Sequence, residues 1–474
     1  MSDHESRDDI TSLNREKTIP DEDGNGQINF RMAKSMDDDP SQVKGTIMAT
    51  YAAGKMLRKI KRAESRESAK RGSILDRFVP PISYEAVKHN EEEKHNHEHP
   101  PNFKSSCIHI LRLIIGRKMN LLLILVPFAV LSPILGWSDT AIFLLNFVCM
   151  MPLASLLGEF TEEVAMHTNQ TIGGLVNATF GNAVEVVVAL NALAANQIRV
   201  VQASLMGSVF SNMLLVLGCC FFFGGLKYTE QHFNSTSAVA NMSLLMLSSL
   251  AIVLPTPLAD ANQNTDVLTI SRFVGVCLLF MYAQLMYFQF KSHSHLFEEE
   301  EEEEGEASLT MVIACGGLFF VTLAVAYLSD LLVGSIDGFT EQASLSKTFV
   351  GLILLPIIGN AVEHVTAVSV AMKDKMELAM GVAIGSATQI SMFVTPVVVL
   401  AGWIMGKEMT LAFYDEEVIL YVLSVIIVAT ASTAGRSNWL LGSLLITTYV
   451  LIGLAFWYEE DVDSSLSSTS AVVP

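Results

Sequence analysis

The sequence has little charge for its length, and most of that charge is negative. Asp, Glu, Lys and Arg make up 17% of the 474 residues, whereas hydrophobic residues make up 51%. The 30 basic residues are outnumbered by 49 acidic ones, which gives a net charge of −19. This acidic balance argues against nucleic acid as a partner and suits a protein that handles cations. The high apolar content argues against an ordinary soluble protein.

Several motifs that would indicate other classes of protein are also missing. The N-terminus lacks a basic start followed at once by an apolar stretch, so we expect no cleavable signal peptide. No Walker A sequence and no nucleophile–base constellation is present, which disfavours an ATP-driven pump and an enzyme. The six cysteines have no zinc-ligand or redox spacing, and we interpret them as small hydrophobic residues. They are Cys107, Cys149, Cys219, Cys220, Cys277 and Cys315.

Long apolar runs separated by short polar stretches follow Met119. Several of these runs reach the roughly 20 residues that a helix needs to cross about 30 Å of hydrocarbon. The pattern predicts an all-α polytopic membrane protein with about eleven spans. We place them at 119–137, 139–157, 172–195, 200–224, 238–257, 267–289, 309–330, 346–372, 377–404, 416–434 and 438–458.

These spans divide the chain into six regions. They are a disordered cytosolic tail (1–104), a first, extra span (105–137), a first repeat (138–290), an acidic cytosolic linker (291–308), a second repeat (309–458) and an acidic C-terminal tail (459–474). A cytosolic N-terminus is predicted because Lys104, Arg112, Arg117 and Lys118 all precede the first span.

The linker contains an unbroken run of seven glutamates. Either it is a solvated connection between the repeats, or it collects cytosolic cations. The run consists of Glu298, Glu299, Glu300, Glu301, Glu302, Glu303 and Glu304.

An internal repeat relates the two halves of the chain. Gly181–Glu185 reads GNAVE, and the same five residues recur at Gly359–Glu363 after a displacement of 178. At the same displacement, Gly207-Ser208 recurs as Gly385-Ser386. The two motifs are five spans apart, and an odd displacement inserts the second half upside down. Inverted repeats of this kind are typical of secondary transporters, whose site lies where the repeats meet.

Each motif places a carboxylate inside the membrane, where an ionised glutamate costs at least a few kcal/mol. Asn182 and Glu185 are spaced i, i+3 and share a helix face, as do Asn360 and Glu363. The glycines Gly181 and Gly359 weaken the helix there, and Pro356 favours a break before the second motif. Ser208, Ser386, Asn212 and Gln389 add supporting oxygen donors on the paired spans.

The donor set is all oxygen, with two carboxylates and no cysteine. It suits Ca²⁺, which accepts 6–8 oxygens in flexible geometry, while Mn²⁺ stays open. We predict no cofactor, and Ca²⁺ is expected as the transported substrate. Without the metal, two facing carboxylates in an apolar environment can cross only after binding protons or another cation. Competition between metal and protons for one site leads to the hypothesis of antiport.

Further candidate residues flank the motifs. His364 follows the second motif where the first has Val186, and it serves either proton transfer, a gate or packing. Acidic residues at the span ends either form vestibules for cations or are ordinary solvated loop residues. They are Glu159, Glu162 and Glu163 at the cytosolic mouth of the third span, and Asp337 and Glu341 at the opposite mouth of the eighth.

The paired motifs at Gly181–Glu185 and Gly359–His364 resemble those of the cation/proton exchangers within the calcium/cation antiporter superfamily. The stretch GNAVEHVTAVSVAMKDKMELAMGVAIGS is similar to fungal vacuolar Ca²⁺/H⁺ exchangers. This resemblance implies a vacuolar membrane protein that exchanges cytosolic Ca²⁺ for lumenal H⁺ and has its acidic ligands at Glu185 and Glu363. A Na⁺/Ca²⁺ exchanger, a Mn²⁺/H⁺ antiporter and, less favoured, a cation channel remain alternatives. The expected partners are Ca²⁺, H⁺ and the lipid bilayer.

Overall fold

The computed structural model describes residues 103–257, 266–293 and 307–458. Most of the predicted tail, the run Glu298–Glu304 and the C-terminal region 459–474 lie outside these residues. The described chain is almost entirely helical, and its apolar core is formed jointly by helices of both repeats. Its strands, β1 (Gln231–His232) and β2 (Arg436–Ser437), form one short antiparallel pair.

The start of the described chain differs from the single first span predicted at 119–137. Helix α1 (Phe103–Gly116) is followed by a 3-10 segment (Lys118–Leu125) and helix α2 (Val126–Leu131), with a bend of 92° between them. The apolar part after the bend, Met119–Leu131, is therefore only about 20 Å long. It ends at Leu131 because Pro133 cannot continue it.

The first repeat contains three broken or bulged helices and two long ones. Its helices are α3 (Asp139–Met166), α4 (Gln170–Phe180), α5 (Ala183–Ala194), α6 (Ile198–Phe210), α7 (Leu217–Lys227), α8 (Ser235–Val253) and α9 (Val267–Tyr287). A π-helical segment, Ser211–Val216, joins α6 to α7, and another, Phe288–Ser292, extends α9.

The second repeat also contains broken and bulged helices, but its bulges do not all match those of the first. Its helices are α10 (Met311–Gly334), α11 (Ile336–Ala343), α12 (Lys347–Phe349), α13 (Leu355–Gly359), α14 (Ala361–Ala371), α15 (Met376–Gln389), α16 (Thr395–Met405), α17 (Asp415–Ser432) and α18 (Trp439–Trp457). Two π-helical segments, Val350–Leu354 and Ile390–Val394, join α12 to α13 and α15 to α16. Each ends just before a proline, Pro356 or Pro396, so that the helix continues despite the missing N–H.

The helices confirm a polytopic membrane protein, but not the predicted count of eleven spans. Within the described residues, seven helices are long and apolar enough to cross a membrane, or ten if each of three bent pairs forms one span. Helix α17 is outside that count because its first turn holds Asp415, Glu416 and Glu417.

A buried ion pair joins the two repeats at the start of α6. Its two residues were not predicted from the sequence. The Arg199 guanidinium, on α6, donates to both carboxylate oxygens of Glu417, on α17, over 2.8 and 2.5 Å. Arg199 also donates to Thr348 Oγ1 and lies over the Tyr414 ring at 3.8 Å. The Glu417 side chain is fully buried, so its negative charge is stabilised by Arg199 instead of by water.

Breaking this pair from one side should destabilise the protein. Arg199→Met leaves the Glu417 charge buried and unpaired, at a cost of about 3–5 kcal/mol. The melting temperature of the purified protein in detergent should fall markedly. The double variant Arg199→Met/Glu417→Met should recover most of the loss, because apolar replacement of both partners is often neutral.

Lys347→Met is the matched control for this prediction. Lys347 pairs with Asp337 over 2.8 Å, but their side chains are 37% and 59% exposed, and such pairs contribute only about 0–1 kcal/mol. Equal melting temperatures for Arg199→Met and Lys347→Met would contradict the importance of the buried pair.

Candidate cation site

Both motifs interrupt a helix at the predicted place. The first break separates α4 from α5 with a bend of 44°, and Asn182 has non-helical angles of φ −104° and ψ 24°. The second separates α13 from α14 at Asn360, with φ −88° and ψ 5°. Each glutamate therefore lies in the first turn of a new helix, α5 or α14. A break of this kind leaves main-chain carbonyls without helical partners.

The two motifs contact each other directly. A Cβ added to Gly359 would lie 2.6 Å from Oε1 of Glu185, so the carboxylate of the first motif rests against the glycine of the second. A side chain at position 359 would force the Glu185 carboxylate to move. The contact brings residues 174 positions apart in the sequence, Glu185 and Gly359, to the same point in the molecule.

The asparagine of each motif donates a hydrogen bond to the opposite repeat. Asn182 Nδ2 donates to Gln389 Oε1 over 2.6 Å, and Asn360 Nδ2 donates to the Ser208 main-chain carbonyl over 3.2 Å. These bonds fasten each break to the helix of the opposite repeat that crosses it. The predicted supporting residues Gln389 and Ser208 therefore lie beside the motifs.

A third group of hydrogen bonds lies beside Glu363. Asn212 Nδ2 donates to Ser386 Oγ over 2.8 Å, and Ser386 Oγ donates to Asn182 Oδ1 over 3.2 Å. Both Ser386 and Asn212 also lie close to the Glu363 carboxylate. One network thus includes side chains from both repeats and connects the surroundings of Glu363 to the first motif.

Four oxygens in this region are buried with no hydrogen-bond partner among the described residues. They are Oε2 of Glu185, Oε2 of Glu363, Oδ1 of Asn360 and Oδ1 of Asn212. Each unpaired buried acceptor is costly, and a carboxylate oxygen is the most costly of them. A hard cation would remove this cost for each oxygen that it contacts, and Ca²⁺ takes oxygen ligands of these types. The described residues contain no cluster of three or more His, Cys, Asp and Glu that could hold a metal, so neutral oxygens would have to complete the ligand set.

His364 lies at the edge of this group. Its Nδ1 donates to the Asn360 main-chain carbonyl over 3.0 Å, since a carbonyl can only accept. In the neutral ring, Nε2 then carries the lone pair, and this buried atom has no partner in the described chain. Val186, at the matching position of the first motif, provides no such group.

The predicted vestibule residues have different environments. Glu159 pairs with Arg117, and Asp337 accepts from Lys347 and Gln197. Glu162 and Glu341 are exposed.

Glu163 differs from the prediction of a vestibule. It is 7% exposed, and its Oε2 accepts from the main-chain N–H groups of Ser308 and Leu309 over 3.0 and 2.9 Å. Its carboxylate fastens the start of the second repeat to the end of α3. The prediction failed because the bond joins segments 145 residues apart.

Two interlocked inverted repeats whose broken helices meet at paired carboxylates are the architecture of a secondary transporter. The chain belongs to the sodium/calcium exchanger protein family, whose profile matches residues 138–291 and 313–458. This membership confirms the resemblance drawn from the paired motifs.

Individual relatives agree with this assignment. The chain is 43% identical to a Ca(2+)/H(+) antiporter of Aphanothece halophytica, over 72% of this chain and 96% of that protein. It is 38% identical to a vacuolar calcium ion transporter of Schizosaccharomyces pombe, over 73% and 86% of the two chains. Among solved structures, native YfkE matches with a TM-score of 0.63 and 35% identity, covering 71% of this chain and all of that one.

The contact between the motifs yields a prediction about Gly359. In Gly359→Ala the new methyl group would displace the Glu185 carboxylate and weaken cation binding by about tenfold or more, or roughly 1.4 kcal/mol. Ca²⁺ is the probe, and binding is measured as the rise in melting temperature that it produces in the purified protein.

Gly381→Ala is the control, because a Cβ at Gly381 would meet nothing within 4 Å. An unchanged Ca²⁺ response in Gly359→Ala would contradict the proposed position of Glu185.

Proposed function

We propose that this protein is a secondary active Ca²⁺/H⁺ antiporter that moves cytosolic Ca²⁺ into the vacuole in exchange for lumenal protons. The observation that carries the proposal is the set of unpartnered buried oxygens on Glu185, Glu363, Asn360 and Asn212. Support comes from the relatives whose names describe Ca(2+)/H(+) antiporters and vacuolar calcium transport.

The charge of the site explains why exchange would be coupled. Two carboxylates holding one Ca²⁺ form a neutral site, and so do two protonated carboxyl groups. The empty site is doubly negative and cannot readily cross an apolar environment. Reorientation of the site from one side of the membrane to the other is therefore expected only with Ca²⁺ or with protons bound. Because Ca²⁺ and protons compete for the same site, this restriction leads to antiport.

His364 is the residue that we propose for moving protons near the site. Its Nδ1 is held by the Asn360 carbonyl, and its Nε2 is unpartnered within the described chain. A ring oriented in this way can take up a proton at Nε2 and release it from the same atom, because its Nδ1–H faces a carbonyl that does not accept a proton. Because Val186 cannot do so, this histidine step belongs to the second motif alone, whereas both glutamates carry protons.

The proposed location rests on similarity and on charge. Relatives in rice as well as fission yeast are named as vacuolar exchangers or transporters. The basic residues Arg112 and Arg117 before the first apolar helix favour a cytosolic N-terminus. In this orientation α4 would enter the membrane from the cytosol.

The glutamates are tested by removing one charge at a time. Glu185→Gln and Glu363→Gln should each reduce Ca²⁺ uptake into proteoliposomes under an imposed pH gradient to background. A glutamine can neither balance the cation charge nor carry the returning proton.

Glu377→Gln, an exposed glutamate at the start of α15, is the control and should transport normally. Coupled uptake that persists in both glutamine variants would contradict the proposed site.

The coupling ion is tested by exchanging the gradients. A pH gradient, acidic inside, should drive ⁴⁵Ca²⁺ into vesicles containing the wild-type protein, while an equal Na⁺ gradient at constant pH should not. Uptake driven by Na⁺ alone would instead identify a Na⁺/Ca²⁺ exchanger. Ionic current far above the turnover of a carrier would indicate a channel.

A further inference from the structure

The two halves of the inverted repeat do not pack alike. In one half, α6 lies backbone to backbone against the segment Lys347–Gly359, which is α12 with its π-helical extension and α13. A Cβ added to Gly207 would collide with the main chain of Leu352, and one added to Gly351 would lie 2.7 Å from Cβ of Ala203. We call this half the closed half, because here α6 and that segment are in close main-chain contact.

The matching contact in the other half is open. The displacement of 178 residues relates Gly207 to Gly385 and Ala203 to Gly381, both on α15. It also relates Gly351 to Gly173 on α4. A Cβ added to Gly385 or to Gly381 would meet nothing within 4 Å. The atoms nearest to a Cβ on Gly173 would belong to Ala165 and Thr168, at the adjacent corner with α3, and not to α15.

Exposure along the two equivalent helices shows the same difference. Val350 and Ile353 are 0% and 8% exposed in the closed half. Their counterparts on α4, Ile172 and Leu175, are 49% and 50% exposed. Two side chains that are covered in one half are therefore uncovered at the matching positions of the other.

We propose that α4 closes onto α15 in the opposite-facing state and that Gly385 is required for this step, although it touches nothing in the present state. The proposal rests on the proposed transport function, because an inverted repeat alternates by exchanging the conformations of its halves. Gly385 would then receive the main chain of α4 as Gly207 receives that of Leu352. Such an approach excludes any side chain.

Neighbouring positions on α15 should respond differently. The counterpart of Gly381 is Ala203, which carries a Cβ within the closed contact, so alanine is compatible with closure at position 381. The counterpart of Gly385 is a glycine whose Cβ would collide with main chain. The structure therefore distinguishes two glycines one turn apart on the same helix.

The first experiment measures transport and binding together. Gly385→Ala should slow pH-driven Ca²⁺ uptake by about 10-fold, and Gly385→Val should slow it by about 100-fold or more. Both should keep the rise in melting temperature with Ca²⁺, since the present state has space for the new side chains. Gly381→Ala should transport within about twofold of wild type.

Two outcomes of this experiment would overturn the proposal. Wild-type transport by Gly385→Val would show that no close approach occurs there. Loss of the Ca²⁺ response together with transport would show that Gly385 acts on the cation site instead of on closure.

The second experiment does not depend on the transported ion. Gly173→Cys and Gly381→Cys are combined in a chain whose six native cysteines are replaced. Closure of α4 onto α15 should bring the two new thiols within disulfide distance, with Cβ atoms about 3.5–4.5 Å apart. Oxidation should then cross-link them, and adding Gly385→Val should prevent the cross-link. Each single-cysteine variant is a control.

The two experiments separate this inference from the proposed function. Failure of the wild-type protein to take up Ca²⁺ would refute the proposed function, while the cross-link would still report closure. Absence of the cross-link in a protein that transports Ca²⁺ would refute the closure of α4 at this position.

Discussion

The structure depends on burying two carboxylates where neither can keep a full set of partners. Glu185 is 8% exposed, and one oxygen of each glutamate has no hydrogen bond within the described chain. Water cannot solvate an ion in an apolar interior, and desolvation there costs several kcal/mol. A bound cation or bound protons would remove this cost, as the proposed function requires. Oxygen atoms are placed near the two carboxylates by the helix breaks, by the contact of Glu185 with Gly359, and by the hydrogen bonds of the two motif asparagines to the opposite repeat.

The inverted repeat supplies the pair of carboxylates, but the surroundings of the two motifs depart from its symmetry. Both motifs keep asparagine and glutamate, but His364 is matched by Val186 and Gln389 by Ser211. Asn182 consequently donates to a side chain of the opposite repeat, whereas Asn360 donates to a main-chain carbonyl. Oδ1 of Asn182 accepts from Ser386, whereas Oδ1 of Asn360 is buried with no partner in the described chain.

The ends of the molecule show how charge is used outside the site. Arg199 and Glu417 form a buried, bidentate pair that joins the repeats where α6 meets Lys347–Gly359. At the other end of the first repeat, Glu163 binds two main-chain N–H groups at the start of the second. Both acidic residues are used to hold segments together, since a buried carboxylate is tolerated only where donors surround it.

The sequence by itself determined the membrane class, the repeat, the helix breaks at Gly181 and Gly359, and the oxygen chemistry of the site. These features are local, because hydropathy, residue identity and spacing act within a single span or motif. The tertiary structure alone decided that Glu185 rests on Gly359, that Arg199 pairs with Glu417, and that α4 is open where its counterpart is closed. Those contacts join residues more than a hundred positions apart in the chain or depend on which of two packings is present. Periodicity cannot specify either, since the same amphipathic helix can be covered by more than one partner.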